Sequence, residues 1–123
     1  MKSVVDDVAS KHQKPNVQFF HIHDLEDLKN EKADLLIIKD VMQHWPNEII
    51  QYFINNILPN FKYALITNDF KENEPNVDIK SGHFRPIDIE ATPFNIKNIE
   101  LLSVYESHGV TKKVYLYTNP KNK

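Results

Sequence analysis

Residues 33–70, ADLLIIKDVMQHWPNEIIQYFINNILPNFKYALITNDF, decide the fold. Asp34–Lys39 (DLLIIK) is a continuous apolar run of the kind found in strands buried on both faces. Phe61–Thr67 (FKYALIT) has the same character. Between them, Ile49, Ile50, Phe53, Ile54 and Ile57 share one side of a helix that opens near Pro46-Asn47-Glu48 and ends before Pro59. Asn47 is the expected N-cap, because its side-chain oxygen can accept from a free N–H of the first turn. Two buried-type strands joined by an amphipathic helix imply an α/β sheet with helical cover.

The flanks extend this pattern. Residues 2–13 (KSVVDDVASKHQ) place Val4, Val5 and Val8 on one helical face, and Pro15 stops the helix. Asn16–Ile22 (NVQFFHI) reads as a strand, and DLEDLKNEKA after it as a loop or a single helical turn. Asn68–Lys97 carries Pro75, Pro86 and Pro93 among charges, which predicts a long loop, either ordered or flexible. Ile99–Glu106 and Lys112–Thr118 flank Ser107-His108-Gly109-Val110-Thr111, a hairpin with its glycine in the turn. The expectation is one domain over residues 1–123, with a mixed sheet of about five strands closing on an antiparallel hairpin.

Composition narrows the function. The chain has 123 residues, a net charge of -2 and no cysteine, so thiolate metal sites and cysteine nucleophiles are excluded. The charge balance offers nothing to a polyphosphate, so no nucleic-acid partner is expected. No apolar run approaches the roughly 18 residues of a membrane helix, and the acids in the first residues argue against a signal peptide. A cytoplasmic location is the expectation. Gly82 and Gly109 are the only glycines, too few and too far apart for a glycine-rich phosphate loop.

Three constellations could carry chemistry. His21 and His23 share a strand face, with Asp24 and His12 near in sequence, and could meet a metal ion. The plain reading is a strand end emerging into solvent, and no third ligand is evident, so no metal is assigned. Lys39-Asp40-Val41-Met42-Gln43-His44-Trp45 follows a buried strand, where α/β sheets bind ligands. There Asp40 could accept hydrogen bonds and His44 act as acid or base, or the segment could be a solvated loop with Trp45 packed on the helix. Asp78–Asn95 (DIKSGHFRPIDIEATPFN) holds His83, Arg85 and two phenylalanines. Arg85 could bind an anion while Phe84 and Phe94 shelter an organic substrate, or it could pair with Asp88 or Glu90 and pin the loop. Asn68-Asp69 is a weaker candidate on the same rim.

Taken together, residues 33–70 and 76–95 resemble class I S-adenosylmethionine-dependent methyltransferases. In that family a strand of D-L-I type runs into Arg/Lys-Asp-Val-x-x-His, then a helix, then a K-Y-hydrophobic-T strand. A subgroup carries N-x-D-I-x-x-G-x-x-R-P before P-P-F-N, with Thr92 here in place of the first of those prolines. The resemblance implies Asp40, His44 and Arg85 on the catalytic, acceptor side, and His23, Asp24, Lys39 and Asp40 at the cofactor, S-adenosylmethionine. Methyl transfer depends mainly on positioning and needs no nucleophilic side chain.

The resemblance also implies a missing half. The family's first two strands and glycine-rich turn would precede Met1. Its sheet runs 3-2-1-4-5-7-6, so residues 17–22 and 34–39 would be strands 3 and 4 with their intervening strands absent. The two edges could close on each other, pair in a homo-oligomer, or receive a complementing N-terminal chain; closure or dimerisation is the expectation. The rival function is a non-catalytic binding or assembly module on the same scaffold. A metal enzyme rebuilt around His21, His23 and His44 is a third reading.

Overall fold

The computed structural model describes residues 25–122. The expected helix over 2–13 and strand over 16–22 lie outside them. Four strands form one sheet: β1 (Ala33–Lys39), β2 (Phe61–Asp69), β3 (Ile99–Ser107) and β4 (Val110–Thr118). Their spatial order is β1-β2-β4-β3. β1 and β2 are parallel, and both other pairings are antiparallel. The mixed sheet and its closing hairpin match the expectation, but the described residues hold four strands rather than five.

The linker before β2 starts as the helix α1 (Asn47–Tyr52), widens into a π-helical turn over Phe53–Ile57 and tightens into a 3-10 turn over Leu58–Asn60. Pro59 explains the irregular end, because its ring cannot donate and crowds the carbonyl four residues back. Side chains take up carbonyls there: the Asn56 amide donates to Tyr52 O at 3.1 Å, and the Asn60 amide to Asn56 O at 3.2 Å. The N-cap is Pro46, not Asn47. Asn47 instead lies in the first turn, where its N–H donates to Asp78 Oδ1 at 2.9 Å. A carboxylate from the distant loop thus does the capping. Two backbone N–H groups, of Asn47 and Ile79, hold the Asp78 carboxyl below the usual carboxylate range.

The helical linker covers one face of the sheet. Ile50, Phe53 and Ile57 bury against Ile38, Ala64, Ile66, Tyr115 and Tyr117, and Trp45 packs its ring 5.7 Å from that of Phe53. Residues 70–98 form an ordered irregular loop rather than a slack one. Ile87, Ile89, Phe94 and Ile96 enter the core. Asn76 pins the loop, donating to Asp88 O and Thr92 O and accepting from Asp88 N. The β3–β4 turn is His108-Gly109, both at positive φ (52° and 78°), the type I′ geometry that suits a two-residue hairpin.

Candidate functional site

The carboxyl ends of the parallel strands β1 and β2 lie side by side, where open α/β sheets place ligands. Asp40 is the first residue beyond β1. Its φ of 58° turns the chain sharply out of the strand, in a region that Asp tolerates better than most residues. Its N–H still donates to Thr67 O at 2.8 Å, so the ladder with β2 continues up to the turn. Asp69 ends β2 and faces Lys112 directly across the β2–β4 pair.

Lys112 joins the two acids. Its ammonium donates to Asp40 Oδ1 at 2.9 Å and, at very short range, to Asp69 Oδ1. Burial works against the ammonium's charge, but the hydrogen bonds to Asp69 and Asp40 and their negative charges outweigh it. The lysine therefore holds its proton above the ordinary lysine value. The result is an ordered acid–base–acid cluster on the rim. Sequence reasoning found Asp40, ranked Asp69 low and missed Lys112, whose partnership exists only through the antiparallel register.

The other expected residues separate. His44 turns away from this cluster: its Nδ1 lies 3.0 Å from His83 O, and its ring centroid 5.8 Å from that of Phe84. Since a carbonyl only accepts, Nδ1 donates this bond. Lys39 is exposed at the end of β1. His23 and Asp24 lie outside the described residues. Among those described, no three His, Asp or Glu side chains group to hold a metal ion.

Arg85 is 4% exposed and points inward. It donates to Val77 O at 3.0 Å, Gln43 O at 3.1 Å, Met42 O at 3.3 Å and Asn47 Oδ1 at 2.8 Å. Burial pulls its proton affinity down, and the charge of Asp78 opposes this. The guanidinium therefore pins the loop, as one sequence reading had it, but through carbonyls and an amide rather than Asp88 or Glu90. Its place is that of a positioning residue, with none of these donors turned to an anion site.

Its neighbours have a different role. A cleft of about 780 Å³ opens between loop and hairpin, lined by Phe70, Phe84, Pro86, Val104, Val110 and Lys113, with Asp69 at its margin. Phe84 is 50% exposed in it, whereas Phe94 is 5% exposed in the core. Only the first of the two expected aromatic shelters is available to a ligand. The Lys113 ammonium lies 3.5 Å from the centroid of the Phe70 ring, a cation–π contact.

Compared with known families, curated proteins and solved structures, the chain matches none. The cofactor must therefore be judged on the residues themselves. Both glycines serve turns, Gly82 (φ 84°) in the loop and Gly109 in the hairpin. Neither lies between a strand and a helix. The described residues thus do not fit the methionine and ribose portions of S-adenosylmethionine, and no step is derived through it.

One buried polar atom near the rim has no partner among the described residues. Asn68 Oδ1 is unpaired, and its amide nitrogen is 4.0 Å from Met42 Sδ. An unsatisfied buried acceptor costs more than an apolar group of similar shape. Asn68→Leu is therefore expected to keep or raise the melting temperature; a fall equivalent to about 1 kcal/mol or more would show that the amide is satisfied in solution.

Proposed function

We propose that this chain is a methyltransferase-type domain that keeps the acceptor side of the fold and lacks the cofactor cradle. The strand order carries the reading. A parallel pair joined by a helix, followed by a hairpin whose second strand inserts beside β2, gives β1-β2-β4-β3. In the family resembled, strands four, five, seven and six stand in that sequence. The motif-bearing segments Lys39–His44 and Asp78–Asn95 meet at the carboxyl rim: Gly82 N donates to His44 O at 3.0 Å and Arg85 N to Gln43 O at 3.2 Å.

The cleft then takes the acceptor. Phe70, Phe84, Val104 and Val110 supply apolar contact area, and Asp69, held by Lys112, supplies fixed negative charge at its margin. A small, partly apolar organic acceptor fits this chemistry better than a polyanion. His44 stands against one wall of the cleft, its ring centroid 5.8 Å from that of Phe84.

The test is calorimetric titration of the whole chain with S-adenosylmethionine and S-adenosylhomocysteine, alongside an NMR screen of small aromatic amines and acids. The expected result is no cofactor heat, and resonance shifts at Phe70, Phe84 and Lys113 that vanish in Phe84→Ala. Clear cofactor binding by the chain alone would overturn the missing cradle. A screen with no shifts around the cleft would overturn the acceptor site. The exposure of Leu35, Ile37 and Tyr63 on the strands β1 and β2 favours the second reading, an assembly module, which predicts a stable oligomer by light scattering.

A further inference from the structure

Two neighbouring lysines of β4 end in opposite circumstances, because adjacent side chains on a strand point to opposite faces. Lys112 is engaged by Asp40 and Asp69. Lys113 turns to the cleft, where it is half-buried and stands opposite Val104 of β3. Its ammonium rests 3.5 Å from the centroid of the Phe70 ring. Among the described residues no carboxylate pairs with it and no oxygen accepts from it. A ring face meets one side of an ammonium and leaves N–H donors on the other side for an acceptor.

The remaining charges of the cleft are otherwise placed. Asp69 is held by Lys112, Lys71 pairs with Glu74 at 3.4 Å, and Glu72 is exposed. The wall around Lys113 is apolar, made by Phe70, Phe84, Val104 and Val110. A half-buried cation set in such a wall complements a ligand with an apolar body and one negative charge. We infer that the cleft binds a monocarboxylate with an aromatic body, the carboxylate accepting from Lys113 Nζ and the body lying against Phe84, Val104 and Val110. This names the ligand class of the proposed acceptor cleft and rests on that reading. Asp69 sets the charge at one: a second carboxylate would meet it at the margin, and an amine would have to compete with Lys112 for its oxygens.

Phenylpropanoate, phenylpropanamide and phenylpropylamine share one body and differ in charge, so NMR titration of the whole chain with each isolates the role of the cation. The acid should bind at least about fivefold more tightly than the amide, and the amine more weakly than either. Added salt should shrink the advantage of the acid. Lys113→Met, which keeps an apolar stem over Phe70, should bring the acid to the level of the amide and move the melting temperature by less than about 3 °C. Lys113→Arg should retain the preference. Equal affinities for the three probes would overturn the monocarboxylate while leaving the cleft an acceptor site. Tighter binding of the amine would overturn it in favour of Asp69 as the anchor. A preference for the acid that survives Lys113→Met would overturn the assignment of the cation. No binding of any probe would remove the acceptor cleft itself, and the monocarboxylate with it.

Discussion

Replacing Arg85 with methionine is expected to remove about 3–5 kcal/mol of stability, enough to leave the domain marginal or unfolded. Methionine keeps an apolar stem but abandons four acceptors: the carbonyls of Met42, Gln43 and Val77, and Asn47 Oδ1. Hydrogen bonds from a charged donor contribute about 1.5–3 kcal/mol each, and acceptors stranded away from water cost more than the bonds were worth. Some of this is offset, because the site lies near the surface and water can reach Val77, itself half exposed. Arg85→Lys should recover less than half of the loss, since one ammonium cannot reproduce the planar fork that reaches the segment after β1, the start of α1 and the loop together. Urea unfolding followed by circular dichroism measures both variants. A loss below about 1 kcal/mol for Arg85→Met would show that the guanidinium is not what holds the loop. The cleft should fail with the loop, because Phe84 and Pro86 on either side of Arg85 form part of its wall.

That one residue carries so much explains what the sequence could and could not show. β1, β2 and the hairpin were legible because each is a local pattern: DLLIIK and FKYALIT as apolar runs, His108-Gly109 as a turn pair at positive φ. The order within residues 70–98 was not legible. It comes from Asn76 reaching Asp88 and Thr92, Asp78 reaching Asn47, and Arg85 reaching Met42 and Gln43, partnerships spanning 12 to 43 residues with no periodicity. Phe84 and Phe94 are equivalent as letters, yet one lines a cleft and the other fills the core. The candidate site was half visible for the same reason. Asp40 follows a buried strand, a position with a general meaning in α/β sheets. Lys112 has no such signal, because the residue opposite Asp69 is fixed only when β4 inserts between β2 and β3.

Lys112 yields the second large effect, and its signature is a change in pH dependence. In the native protein the folded lysine holds its proton above the unfolded value of 10.5. Its contribution is therefore fully present below that pH and is lost as pH rises through the folded value, so acid and neutral conditions leave it intact. Lys112→Met reverses the situation. Asp40 and Asp69, which now share one ammonium, would face each other with no counter-charge, and neighbouring carboxylates push one carboxyl pKa upward. A group whose folded value is raised stabilises below its unfolded value, near pH 4, and loses that contribution as pH rises through the folded one. The variant should thus fall further below wild type at pH 7 than at pH 4, by about 2 kcal/mol. Adding Asp69→Asn should return most of the loss at pH 7, because a single carboxylate remains and the amide can donate to it. Melting temperatures from pH 4 to 8 decide the matter: parallel curves for wild type and Lys112→Met would show that the two acids do not sense each other. If the curves diverge as expected, Lys112 is what holds Asp40 in place at the carboxyl end of β1. An acceptor's ammonium entering the rim would then have to compete with an internal lysine for the same oxygens.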